Sequence, residues 1–479
     1  MKFSSNLQEN FDNFQNIFRD NCMIVFRYLE NAYDTQLKAV AVFADGLVGA
    51  SLVNDYVVKP FVANAQIYKQ EDKLMFAKNS VLQSNDIVIV TDYDDCIKRL
   101  FSGDVIFFLE GYDSPLAVNA RFPATRSISE PENEKALKGP REGFCELILF
   151  NTALLMRRLK NDHLKLESFT LGNRTRTPVV MAYIEGVCHP DLVKQIRTQL
   201  KKINTDSITD TNQIAELLKA KPYSPFKTTG STERPDVVAN KLLEGRIAII
   251  ADGTPQVITV PFLFNEYFQS TDDYSINFYF GTVSRLLRYL SFLISLFLPA
   301  LYVACVKFQH EILPEKLLYS ISASRVSVPL SATMELVVFL LFFEIIREAS
   351  TRTPSVIGQT LSIAGALILG QTAVEANFIS VPAIIIVAIS GLCSNVLPQM
   401  KGAMILLRFG ILWLSSLIGI YGVILGGAAV IIHLADITVS QTSYLNEMLP
   451  STKGAWMDIY IRGPYQFLKQ KKDYLSKEN

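Results

Sequence analysis

Residues 336–352 read LVVFLLFFEIIREASTR, eight unbroken apolar side chains followed by Glu344, Arg347, Glu348 and Arg352. An apolar run of this kind belongs in a bilayer, where about 20 such residues cross the hydrocarbon core. There an unpaired charge costs at least ~2.5–3.5 kcal/mol on insertion scales, so ionisable groups normally face a protein interior or a water-filled path. On a helix Glu344 reaches Arg347 at i+3 and Glu348 reaches Arg352 at i+4, so the four charges can pair along one face. Two readings follow: a helix end anchored at headgroup level, or a paired polar belt.

The surroundings of this stretch decide the architecture. From Gly281 to Pro450 only 17 of 170 positions carry Lys, Arg, Asp or Glu, against 75 of the other 309, which sets a membrane portion inside an otherwise soluble chain. The first apolar run, LSFLISLFLPALYVACV (290–306), is preceded by Arg285 and Arg288 as a basic flank, and its Pro299 predicts a kink. Further apolar runs cover 329–346, 356–374, 379–397 and 403–433; the last is long for one span and carries Gly419, Gly422, Gly426 and Gly427 as a bend or packing signal. Four to six crossings are expected. The tail from Ser451 has 6 basic and 3 acidic residues, including KQKK (469–472), and the positive-inside tendency places it in the cytosol. With the N-terminal region on the same side, the number of crossings is even.

Other polar residues fall within these runs: Glu335, Gln359, Gln371, Glu375 and Arg408. The segment VPAIIIVAISGLCSNVLPQM (381–400) can place Ala383, Val387, Ser390, Gly391, Ser394 and Asn395 on one helix face. Small and hydroxyl side chains there serve either close helix packing or the lining of a narrow pore.

Ahead of the membrane portion four β-rich phrases recur: AVAVFADG (39–46), DVIFFLEGYDSPL (104–116), VVMAYIEG (179–186) and RIAIIADGTPQVITV (246–260). Each apolar run closes on an acidic residue and Gly, the mark of a buried strand ending in a tight turn that needs positive φ. Gly46 to Gly111 spans 65 residues and Gly186 to Gly253 spans 67, with helical runs after the first member of each pair, so one α/β unit is used twice. The acidic–Gly turns serve as strand punctuation or border a small-ligand cleft between the repeats. The expected organisation is an N-terminal extension (1–35), α/β subdomain 1 (36–125), a linker and helix (126–165), α/β subdomain 2 (166–280), an all-α polytopic membrane domain (281–435) and a basic tail (436–479).

Chemistry is hard to place on this chain. Its four histidines sit in no HExxH motif, and GxSxG, Walker A and GxGxxG are absent, so an enzyme is not expected. Six cysteines without CxxC spacing read as reduced thiols rather than a zinc site or disulfide framework. No net charge points to nucleic acid, no cofactor or metal is expected, and the N-terminus lacks the apolar stretch of a secretory signal.

In order and spacing, the phrases EPENEKALKGPREGF (130–144), NTALLMRR, YSPFKTTGSTERPD (223–236), LLEGRIAIIADGTP, FQSTDDY (268–274), ISASRVSVP (321–329), EIIREASTRTPSVIGQTLSIAGALILGQTAVEANFIS (344–380) and IRGPYQFLK (461–469) resemble the A subunits of bacterial spore germinant receptors, the GerA family. The resemblance runs from about Ala39 to the C-terminus; LADITVSQTSYLNEMLP (434–450) departs from the family's usual Ser-Phe-Gly and Pro-Tyr run. It implies an integral protein of the spore inner membrane, with a permease-like B subunit and a lipoprotein C subunit as partners. It also implies a homo-oligomer that passes ions when nutrients trigger germination. A related accessory protein of the dipicolinate-release machinery shares these motifs, and a secondary transporter or a non-conducting receptor scaffold stands as the alternative. On the channel reading Glu344, Arg347, Glu348 and Arg352 form a belt between subunits, and the 381–400 helix lines the path.

Overall fold

The computed structural model describes residues 3–121, 131, 134, 138–219, 221–353, 365, 368–439, 442–445, 458–464 and 466. Gln359, most of the 356–374 run and the KQKK tail lie outside the described residues. Two compact units emerge, one from Met1–Lys219 and Thr229–Pro261, the other from Ala220–Thr228 and Phe262–Lys469.

The first unit holds two five-stranded antiparallel sheets. One contains β1 (Ile24–Glu30), β2 (Lys38–Ala44), β3 (Ile87–Ile89), β4 (Asp104–Leu109) and β5 (Leu116–Asn119) in the order β1-β2-β4-β5-β3. The other contains β6 (Leu164–Leu171), β7 (Thr177–Ile184), β8 (Gly230–Thr232), β9 (Ile247–Ala251) and β10 (Val257–Val260) in the order β6-β7-β9-β10-β8. The two orders are the same path traced twice, as the repeat spacing predicts. The four recurring phrases hold β2, β4, β7 and β9, and each phrase pairs with its partner phrase, Val40 opposite Phe108 and Val180 opposite Ile250. Their closing glycines, Gly46, Gly111, Gly186 and Gly253, have φ of 81°, 88°, 84° and 86°. At Gly111 and Gly253 an added Cβ would meet nothing within 4 Å, so glycine is required there by backbone conformation and not by space.

These central strands read as continuous apolar runs because both faces are covered. In β2, Val40, Val42 and Ala44 join one apolar core, while Ala39 and Ala41 join another on the opposite face with Phe61, Phe107 and Leu109. The first of these cores draws on both sheets. Phe14 of helix α1 (Leu7–Ile17), Leu100 of α2 (Tyr93–Leu100), Leu155 of α3 (Ile148–Arg158) and Leu242 of α4 (Pro235–Leu243) pack there with Val180 and Ile250. An apolar core therefore occupies the ground where a ligand cleft was the other reading of the turns. The first sheet also starts earlier than residue 36, since β1 pairs with β2 over seven registers and α1, N-capped by Asn6, packs with it. Helix α3, in the 126–165 stretch expected to hold a linker and a helix, buries Leu154, Leu155 and Met156 in the core.

The second unit is helical. Its main elements are α5 (Phe278–Lys307), α6 (Glu315–Arg325), α7 (Ala332–Arg352), α8 (Val381–Asn395), α9 (Lys401–Ile418) and α10 (Ile420–Ala435). Among the described residues, Phe278–Lys307 and Pro398–Ile418 are long and apolar enough to cross a membrane, and α8 and α10 are shorter apolar helices. The long 403–433 run breaks at Gly419, whose φ of 64° ends α9 and begins α10. Gly422 then brings the two helices together, its Cα facing the Leu414 carbonyl so closely that a Cβ would sit 2.3 Å from the oxygen. Outward positions carry Leu406, Trp413, Tyr421, Ile424 and Ile431, while Arg408, Ser390, Ser394 and Ser415 are buried. An apolar exterior over an interior that holds buried charged and hydroxyl groups is unlike a water-soluble bundle.

Candidate functional site

The buried polar network of the bundle begins with a proline. Pro299 in α5 has no N–H to donate to the Ser295 carbonyl one turn earlier. Ser390 of α8 fills that vacancy, its Oγ donating to the Ser295 carbonyl at 2.9 Å. Arg408 of α9 donates through Nη1 to the same Ser390 Oγ at 3.1 Å and through Nη2 to Glu344 Oε1 of α7 at 2.6 Å. Arg347 pairs with the other Glu344 oxygen and donates through Nη1 to Ser394 Oγ at 3.1 Å. One carboxylate thus bridges two guanidiniums, one on its own helix α7 and one on α9, with Arg408 at 1% exposure.

The four charges of the opening stretch separate into two kinds. Glu344 and Arg347 are half-buried, at 15% and 13% side-chain exposure, whereas Glu348 and Arg352 form an i,i+4 pair at 2.7 Å on the exposed side, 63% and 78% accessible. Of the six residues expected to share a face of α8, Ala383, Val387, Ser390, Gly391 and Ser394 are buried and Asn395 is exposed. The buried five face helices of the same chain: Ser390 reaches α5, and a Cβ on Gly391 would fall 2.4 Å from the Phe343 ring of α7. Gln371 and Glu375 are exposed and joined by a 3.2 Å hydrogen bond. Glu335 is fully buried and lies elsewhere, next to Arg325 and Ser380.

Two features escaped the sequence reading. Arg408 stood out there only as an isolated intramembrane charge; its link to Glu344 spans 64 residues, and no local spacing reveals it. The basic flank Arg285 and Arg288 is not free either. Arg288 pairs with both oxygens of Asp273, at 2.8 and 2.9 Å, and Arg285, fully buried, lies between Asp273 and Asp458. The acidic pair in FQSTDDY was the available signal. Among the described residues no group of three or more His, Cys, Asp or Glu could hold a metal ion.

A buried ion cluster inside an apolar-faced helix bundle, preceded by a twice-used α/β sheet unit, describes the class of protein. Comparison with known proteins gives the family. The family model described as Bacillus/Clostridium GerA spore germination protein matches residues 12–474, and the chain belongs to that family. The chain is 34% identical over 478 residues to the uncharacterized membrane protein YfkQ of Bacillus subtilis (strain 168), covering 99% of this chain and 92% of the relative. It is 34% identical over 476 residues to spore germination protein B1 of the same organism, covering 98% and 97%. The crystal structure of the N-terminal domain of the A subunit of the Bacillus megaterium spore germinant receptor GerK3 overlaps 55% of this chain and 98% of that one, with 29% identity and a TM-score of 0.41.

Proposed function

We propose that this chain is the A subunit of a nutrient-responsive spore germinant receptor in the spore inner membrane. It works with a permease-like B subunit and a lipoprotein C subunit, keeps its sheet region and C-terminal tail on the cytoplasmic side, and oligomerises into an ion channel that opens at germination. The observation that carries the reading is Glu344 bridging Arg347 and Arg408 in a bundle of apolar helices, within a chain that the GerA family spans almost from end to end. A helix set pinned by a buried ion cluster has a defined closed arrangement, and Glu348 and Arg352, exposed one turn further on, are free to meet a neighbouring subunit.

The test is reconstitution of the full chain with its B and C partners in lipid vesicles, with copy number read by imaging and ion flux read on adding nutrient. Oligomers that conduct on nutrient addition, and leak when Glu344 becomes Gln, are expected. A monomer without flux under any nutrient overturns the channel. A non-conducting scaffold is the second reading, favoured by the burial of the candidate lining face of α8 within its own chain.

A further inference from the structure

At the foot of α5 three guanidiniums, Arg285, Arg288 and Arg462, meet two buried carboxylates, Asp273 and Asp458. Arg288 takes both oxygens of Asp273, and Arg285 lies between Asp273 and Asp458, whose Oδ1 also accepts the Tyr274 hydroxyl at 2.7 Å. Arg462 is left over. It is 6% exposed, no carboxylate pairs with it among the described residues, and its Nε has no hydrogen-bond partner. Its side-chain contacts are with Tyr274. Nη2 donates a long hydrogen bond to the Tyr274 carbonyl at 3.5 Å, and the guanidinium carbon stands 5.8 Å from the ring centre, as that of Arg285 does.

The height of this place along α5 is set by what faces outward. Tyr279 and Phe280 are exposed, and further along the exposed positions are Leu286, Leu287 and Leu290. Aromatic rings at the start of a span, followed by aliphatic side chains, mark the headgroup layer giving way to hydrocarbon. Arg462 sits at that boundary, its carbonyl accepting the Thr282 hydroxyl at 3.2 Å. A cation held out of water without a counter-ion is costly, so its charge calls for an anion from outside the chain. The anions at this height are lipid phosphates, and a guanidinium fork matches a phosphate with parallel N–H groups.

We propose that Arg462, braced on Tyr274, is a seat for the phosphate of an anionic lipid where α5 enters the bilayer. The Tyr274 ring backs the guanidinium, so the phosphate approaches along its N–H edge. A zwitterionic lipid brings its own cation and leaves the excess charge in place, whereas an anionic one cancels it. The seat rests on the membrane reading and adds a partner to it, a headgroup that fastens residues 458–464 against the foot of α5.

The full chain is placed in phosphatidylcholine nanodiscs with a rising fraction of phosphatidylglycerol, and its melting temperature is followed. Wild type should climb with that fraction, and Arg462→Gln should stay flat. Lys316→Gln, which removes the same charge from an exposed position of α6, should climb as wild type does. Parallel rises in wild type and Arg462→Gln, or equal flattening in Lys316→Gln, overturn the seat. If Arg462→Gln does not fold, Arg462→Lys replaces it. Lysine keeps the charge without the fork, so the same rise should need several-fold more phosphatidylglycerol, and an unchanged curve refutes the proposal. Soluble glycerol phosphate added to pure phosphatidylcholine discs separates the sources: a rise equal to that from phosphatidylglycerol makes the ligand a free phosphate and overturns the lipid. A chain that the discs do not retain overturns the membrane reading and the seat with it. A retained chain whose melting ignores phosphatidylglycerol overturns the seat alone.

Discussion

Glu344 is one negative charge answering two positive ones, and that imbalance governs what its loss does. Glu344→Gln leaves Arg408, at 1% exposure, without its carboxylate. Removing one partner of a buried pair costs about 3–5 kcal/mol because the other charge stays uncompensated. The variant should therefore melt well below wild type in lipid, a difference read directly by thermal unfolding. In the sheet unit Glu167 sets a pH dependence. Burial would raise its pKa, but hydrogen bonds from Arg197 at 2.8 Å and Tyr183 at 2.7 Å, with the Arg197 charge, outweigh burial and hold it below the usual carboxylate range. A carboxylate depressed in the folded state contributes stability that is fully present above its unfolded pKa, near ~4.3 for Glu, and is lost as pH falls through the folded value. Arg197→Gln should flatten that acid limb in a pH series of denaturation midpoints while leaving its shape near neutrality unchanged.

At the scale of elements, contacts across short distances decide what is tolerated. α9 and α10 touch through Gly422, where an added methyl would meet the Leu414 carbonyl carbon at 2.5 Å and the Ser415 nitrogen at 2.8 Å. Backbone cannot move aside as a side-chain tip can, so Gly422→Ala should destabilise by about 1–3 kcal/mol as an overpacked contact, measured by unfolding in the same lipid. The edge strand β1 matters for another reason. It covers β2 from Ile24 opposite Ala44 to Glu30 opposite Lys38, so a chain lacking residues 1–35 exposes one unpaired edge of an apolar strand. That deletion should lower the yield of folded protein and drive aggregation, visible by size-exclusion chromatography.

The whole molecule joins two solvents' worth of design in one chain. The sheet unit buries Val, Ile and Phe on both faces of its central strands, whereas the helical unit turns Trp413, Tyr421 and Ile431 outward and Arg408 inward. Such a chain should stay with the membrane fraction through alkaline extraction, and its release under that treatment would count against the membrane reading.

Local period and local charge were legible without a structure. The central strands β2, β4, β7 and β9 announced themselves because burial on both faces makes every residue apolar, and their closing glycines because only glycine takes that φ cheaply. The edge strands β1 and β6 did not, since polar positions such as Arg27, Glu30 and Glu167 interrupt the apolar run. The pairing of Glu344 with Arg347 followed from helix geometry alone. That Arg408 completes the cluster, that Ser390 answers the carbonyl freed by Pro299, and that Glu335 meets Arg325 and the Ser380 N–H, were decided only in the tertiary structure. Spacing along a chain fixes which residues share a face, but which faces meet depends on how helices far apart in sequence satisfy each other's buried polar groups.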